Sequence, residues 1–99
     1  MRRFRRDVER RLAGRVTQVV LFGSRARGDA TNLSDYDVAV FVQDLRDRRL
    51  IDHALADTAY AHILAGVHIR PVSVPADFLE IDAQRNLARE IEREGVLVA

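Results

Sequence analysis

Three sets of residues in one short stretch have the types and spacing for joint chemistry. They are Gly23-Ser24, the arginines Arg25 and Arg27, and the carboxylates Asp35 and Asp37. Ten residues separate Ser24 from Asp35. An apolar run, Val19-Val20-Leu21-Phe22, stops at Gly23, and a second, Val38-Ala39-Val40-Phe41-Val42, begins directly after Asp37. Both runs are short and dominated by β-branched or aromatic residues, so both read as buried strands. Alternate side chains of a strand share a face, so Asp35 and Asp37 point the same way. Their Cα atoms then lie roughly 6–7 Å apart. Two carboxylates at that distance can reach one hard cation such as magnesium, which takes oxygen ligands and often shares them with substrate phosphates. Gly23 permits close backbone approach and unusual dihedrals. Free N–H groups at such a turn can cradle phosphate oxygens. Ser24 adds a hydroxyl, and Arg25 and Arg27 add cationic forks. The product is a phosphate cradle facing a metal-binding pair. The plainer alternative is a Gly-Ser turn followed by two acids that merely open a strand.

Gly-Ser, ten residues, Asp-x-Asp resembles the signature of the DNA polymerase β-type nucleotidyltransferases. The fuller string G-S-x-A-R-G…S-D-x-D resembles that of the minimal nucleotidyltransferases of this superfamily. The resemblance implies a nucleotidyltransferase fold and magnesium-dependent transfer of a nucleoside monophosphate, AMP from ATP, to a protein or RNA acceptor. It implies that Asp35 and Asp37 are catalytic and carry the metal. It also implies that Gly23, Ser24, Arg25 and Arg27 meet the nucleotide. Its implied partner is a HEPN-type toxin, which the transferase silences as an antitoxin; the alternative is a degenerate nucleotide-binding domain that neutralises its partner by stoichiometric binding. The resemblance further implies a third carboxylate on the third strand, for a second metal or as the base. Here the chain departs from it: no acid lies between Val67 and Ala76. His68 or Arg70 stands there instead, and the nearest downstream acid is Asp77. Three alternatives stay open: Asp77 or another acid reaches the site, His68 serves as a base without a second metal, or the domain binds nucleotide without transferring it.

The elements that must position these residues can be read from periodicity. Residues 1–13 carry Phe4, Val8 and Leu12 every four residues, which makes an amphipathic helix with one narrow apolar stripe. Its arginines (Arg2, Arg3, Arg5, Arg6, Arg10, Arg11) read as a solvated face or as a patch for an acidic partner or nucleic acid. A strand over Val16–Phe22 leads into the turn Gly23–Asp29, with a short helical turn over Arg25–Arg27. A polar loop at Ala30–Ser34 leads to a second strand, Asp35–Val42. A connection this short permits antiparallel neighbours, and the site needs that adjacency. A long helix spans Asp44–Ala65, with Leu50/Ile51, Ala54/Leu55, Thr58 and Ala61/His62 as its apolar face. His53 and His62 are nine residues apart, unlike an i, i+4 ligand pair, and read as surface or boundary histidines. A third strand over Val67–Val74 contains Pro71, which belongs on a sheet edge or at a bulge. Pro75 opens a last helix with Leu79, Ala83, Leu87 and Ile91 inward, ending at Glu94-Gly95. The apolar tail Val96–Ala99 should pack on the body or on a partner.

The expectation is therefore a single domain over residues 1–99, of α/β class bordering on α+β. A small mixed three-stranded sheet packs with helices in the order α-β-turn-β-α-β-α. The chain has 47% hydrophobic and 31% charged residues and a net charge of +1, so no global basic field argues for nucleic acid. All 16 basic residues are arginine. With no cysteine, disulfides, thiol catalysis and thiolate metal sites are excluded. No apolar run has the length of a membrane span, and no apolar core follows the charged N-terminus. A cytoplasmic location is expected, with homo-oligomerisation open.

Overall fold

The computed structural model describes residues 1–99. Helix α1 (Arg2–Arg11) is followed by strand β1 (Val16–Phe22), a one-turn helix α2 (Ser24–Arg27) and strand β2 (Tyr36–Val42). Helix α3 (Arg48–Leu64) leads to strand β3 (Ile69–Pro75), then to the short helix α4 (Phe78–Ile81), α5 (Asn86–Glu94) and strand β4 (Val96–Leu97). The result is a mixed α+β fold around one sheet of order β3-β2-β1-β4. β1 and β2 pair antiparallel, β2 and β3 parallel, and β4 antiparallel to β1. No helix is long and apolar enough to cross a membrane.

Strand alternation divides the core between two faces. Val19 of β1 and Val38, Val40 and Val42 of β2 face α1 and α3, where they meet Phe4, Val8, Ile51 and Leu55. Val20, Phe22, Ala39 and Phe41 face α4 and α5, where they meet Phe78, Ala88 and Ile91. The expected stripe of α1 is buried in full at Phe4, Val8 and Leu12. Asp37 is odd-numbered like Ala39 and Phe41, so it looks toward the α5 face. Pro71 sits on β3, which is an edge strand as its proline requires.

Four local readings are corrected. The sheet has four strands, because the tail pairs with β1 (Val20 opposite Leu97, Leu21 opposite Val96) and buries Val98. The long helix starts at Arg48 rather than Asp44: Arg15 binds the Asp47 carboxylate at 2.8 Å and the Asp44 carbonyl, and Asp44 takes a left-handed φ of 61°. On that helix Leu50 and Ala61 are exposed, and Ile51, Leu55, Thr58 and Ala59 carry the burial. Pro75 ends β3 instead of opening a helix, and the last helix is two, broken where Arg85 is extended. Ala83 falls in that break and is exposed, while Phe78 and Ala88 fill the core instead. His53 is exposed, and His62 is a boundary residue against Phe4 with Nε2 3.1 Å from Asp7.

Candidate active site

The site lies where β1 ends and β2 and β3 begin. Phe22, Asp37 and Arg70 occupy one row of the sheet, Phe22 pairing with Asp37 and Asp37 with Arg70. The chain leaves that row at Gly23, with φ 78° and ψ −160°, a combination open essentially to glycine alone. A Cβ there would stand 2.5 Å from Asp37 Oδ2. The Gly-Ser turn and the second carboxylate of the Asp-x-Asp motif are thus in direct contact, which the ten-residue spacing by itself only permits. Ser24 opens α2, and Gly28 closes it in the left-handed conformation.

Asp35 lies just outside β2, whose first residue is Tyr36, yet both acids converge on one cation. That cation is Arg70. Its Nη2 is 2.9 Å from Asp37 Oδ1 and its Nη1 is 3.7 Å from Asp35 Oδ2. The Asp37 carboxylate, by hydrogen bond and charge, holds the Arg70 guanidinium above its ordinary pKa. Arg70, not His68, therefore occupies the strand position opposite Asp37. His68 is exposed at the entrance of β3 and lines a separate pocket with Arg25, Ser34 and Tyr36. Asp77 lies beyond Pro75, at the opposite end of β3, and does not line this site. No three acidic or histidine side chains converge on one point. Asp35 and Asp37 alone could hold one divalent ion shared with substrate phosphates. The donor set does not fit a cage of three protein carboxylates for two metals.

The two arginines of the turn diverge. Arg25 stacks on the Tyr36 ring, 4.5 Å from its centroid, and donates from Nη2 to the Ser34 carbonyl at 3.1 Å. Tyr36 packs on the α1/α3 side of the sheet, so Arg25 fastens the loop on the face opposite Asp37. Arg27 turns toward the site and pairs with Asp29 at 3.1 Å and with Glu94 at 2.9 Å.

Two acids of α5 complete the site, and the sequence reading passed over both. Glu94 accepts a hydrogen bond from the Gly23 N–H at 3.1 Å as well as from Arg27. Glu90, one turn earlier, shares a cavity of about 330 Å³ with Phe22, Asp37, Arg70 and Leu87. Burial, reinforced by the Glu94 carboxylate and the Asp37 charge, pushes the Glu90 carboxyl above its ordinary range. The only sequence signal is an i, i+4 acid pair on a helix, which ordinarily marks a solvated face.

The geometry agrees with comparisons to known proteins. In solved structures the fold is similar to a toxin–antitoxin crystallised with AMP-PNP, at TM-score 0.66 and 20% identity over 97% of this chain and 70% of that one. It is also similar to a protein from Sulfolobus solfataricus assigned as a nucleotidyltransferase, at TM-score 0.52 and 16% identity over 98% of this chain and 78% of that one. At such identities the likeness bears on the fold alone. No curated protein sequence matches the chain. The model of the nucleotidyltransferase domain family matches residues 1–98, which include the glycine turn, the paired aspartates and every strand around them, and the chain belongs to that family.

Proposed function

We propose that the protein transfers AMP from ATP to a protein or RNA acceptor, acting in the cytoplasm as one domain, and that it is the antitoxin of a pair whose toxin is a HEPN-type protein. The observation that carries this reading is the contact between Gly23 and Asp37, which sets the glycine turn against two converging carboxylates. The toxin–antitoxin neighbour with AMP-PNP supports the same assignment.

Asp35 and Asp37 would hold magnesium. When bound, that ion screens the charge of the triphosphate and of its leaving pyrophosphate. The chain's own groups do the rest. The Gly23 N–H and Arg27 offer donors to phosphate oxygens, and the Ser24 hydroxyl, which makes no hydrogen bond within the chain, is free to join them. Fixed cationic and N–H donors stabilise charge that develops during phosphoryl transfer. In the reaction an acceptor hydroxyl oxygen bonds to the α-phosphorus and gives up its proton to solvent water, the bridging α–β P–O bond breaks, and pyrophosphate departs. Arg25, anchored on Tyr36, shapes the loop that presents Asp35 rather than contacting phosphate.

A second reading is favoured by Arg70. An arginine in place of a third acid suits a domain that binds nucleotide and neutralises its partner stoichiometrically without transfer. One experiment separates the two. The protein is incubated with magnesium, α-phosphate-labelled ATP and lysate of its source organism, beside Asp37→Asn. A labelled protein or RNA that requires Asp37 supports transfer and identifies the acceptor. Magnesium-dependent ATP binding with no labelled product supports the stoichiometric reading.

A further inference from the structure

The charged groups of the site are already paired within the chain. Between Asp35 and Asp37, where a divalent cation would bind, stands the Arg70 guanidinium, 2.9 Å from one carboxylate and 3.7 Å from the other. At the glycine turn, where a phosphate oxygen would bind, stands Glu94 Oε1. It takes the Gly23 N–H at 3.1 Å and the Arg27 Nη1–H at 2.9 Å, the two donors the proposed function gives to phosphate.

Glu94 is not a loose surface ion. The Glu94 side chain is only 12% exposed. Its helix is anchored on the sheet: Ile91 is buried, and at Gly95 a Cβ would stand 2.7 Å from Val20 Cγ1 of β1. The chain then enters β4, bonded to β1. The Arg70 side chain is 71% exposed, and its place beside the aspartates comes from its backbone, which pairs with Asp37 in the sheet. The fold therefore delivers an anion to the anion subsite and a cation to the cation subsite, from two elements far apart in sequence.

We infer that Arg70 and Glu94 are resident counter-ions of the nucleotide site, and that a metal-bound polyphosphate enters by exchanging with both. The inference rests on the nucleotide reading above. A divalent cation releases Arg70 from the aspartates, and a phosphate releases Glu94 from Gly23 and Arg27. Only a ligand carrying both charges replaces both pairs at once. A free anion meets the Glu94 carboxylate, and a free cation meets the Arg70 guanidinium. The site thus discriminates for the complex over either part.

Calorimetric titration of the full chain tests this with three probes: magnesium alone, metal-free pyrophosphate, and ATP with magnesium. Glu94→Gln keeps an acceptor for the Gly23 N–H and removes the charge. It should tighten metal-free pyrophosphate about tenfold, the scale of one partly exposed charge-assisted contact. Arg70→Gln should tighten magnesium alone by about the same factor and leave pyrophosphate unimproved. If the unsubstituted chain binds magnesium-ATP and neither variant tightens its probe, the exchange is overturned while the nucleotide reading stands. If magnesium-ATP binds to none of the three proteins, both fail together. A check without substitution is the Gly23 amide in a nitrogen–proton NMR spectrum. It should shift on saturation with magnesium-ATP, and a stationary signal overturns the exchange.

Discussion

The two faces of the sheet are built from the same strands and do different work. On one, α1 and α3 cover Val19, Val38, Val40 and Val42 with Phe4, Val8, Ile51 and Leu55, a continuous apolar layer. On the other, the short α4 and the amphipathic α5 cover Val20, Phe22, Ala39 and Phe41, and this layer ends at the row of Phe22, Asp37 and Arg70. Past that row the face is charged: Asp35, Asp37, Glu90 and Glu94 against Arg27 and Arg70. A period of two lets β2 present valine to one helix layer and Asp37 to the other layer's open end. The difference teaches that one face is given wholly to packing, while the other packs only as far as that row and leaves its open end to paired charges.

The comparison is broken most severely from the thick side. Phe4 is fully buried between α1 and α3 and meets His62 edge-on at 5.6 Å. Phe4→Ala should cost about 3–5 kcal/mol, the range for emptying an aromatic site in a packed core. Urea unfolding reads this directly. A loss near 1 kcal/mol would mean that α1 is dispensable and that the two faces are more alike than their packing indicates.

Gly23→Ala strikes the seam where the layers meet the site. The residue would be forced into a backbone region reserved for glycine, at a cost of about 1–3 kcal/mol. Its methyl would also displace the Asp37 carboxylate, whose Oδ2 would lie 2.5 Å from it. Stability and magnesium-ATP binding should therefore fall together. A variant of full stability that keeps binding would show that the turn relaxes without moving Asp37.

Asp37→Asn separates the two properties. The Asp37–Arg70 pair is partly exposed, with Arg70 largely in solvent, and such pairs contribute about 0–1 kcal/mol. The fold should hold while magnesium-dependent ATP binding drops more than about tenfold, the effect of removing one of two carboxylate ligands. An unfolded variant would mean that Asp37 supports the core and is not confined to the site.

What the sequence made legible follows the same division. Helix α1, the two site strands, their antiparallel pairing and the edge placement of Pro71 were all readable, because each rests on local period or on one residue's backbone chemistry. Alternation put Asp35 and Asp37 on one side, but Asp35 lies just before β2, and their meeting at Arg70 was not readable. The fourth strand was not: two residues, Val96 and Leu97, carry no period, and only the open edge of β1 makes them a strand. Asp44–Asp47 read as helix because Arg15, which holds that turn open, lies about thirty residues away. Glu94 and Glu90 were invisible for the same reason. An acid pair on α5 becomes part of the site only once the sheet brings Gly23 and Asp37 beneath it.

The smallest expected effect tests whether the thin face carries the electrostatic strain its charges imply. Glu90 is held above the ordinary carboxyl range chiefly by burial, then by Glu94 and Asp37, with Arg27 opposing. A carboxyl with a raised folded pKa is bound more tightly to its proton in the folded state. Its ionisation therefore costs stability, and the loss develops as pH rises above the unfolded value of about 4.3. The cost grows until pH passes the raised folded pKa; well below the unfolded value both states are protonated and it vanishes. Glu90→Gln, which cannot ionise, should be more stable than the parent at pH 7 by about 0.5 kcal/mol, given partial solvent screening. The two should converge as pH falls below the carboxylate range. Urea midpoints at the two ends of that range measure the difference. A variant less stable than the parent at pH 7 would mean that Arg27 and Arg70 more than balance the Glu90 charge, and that the open end of the thin face is a matched ion cluster instead of a strained one.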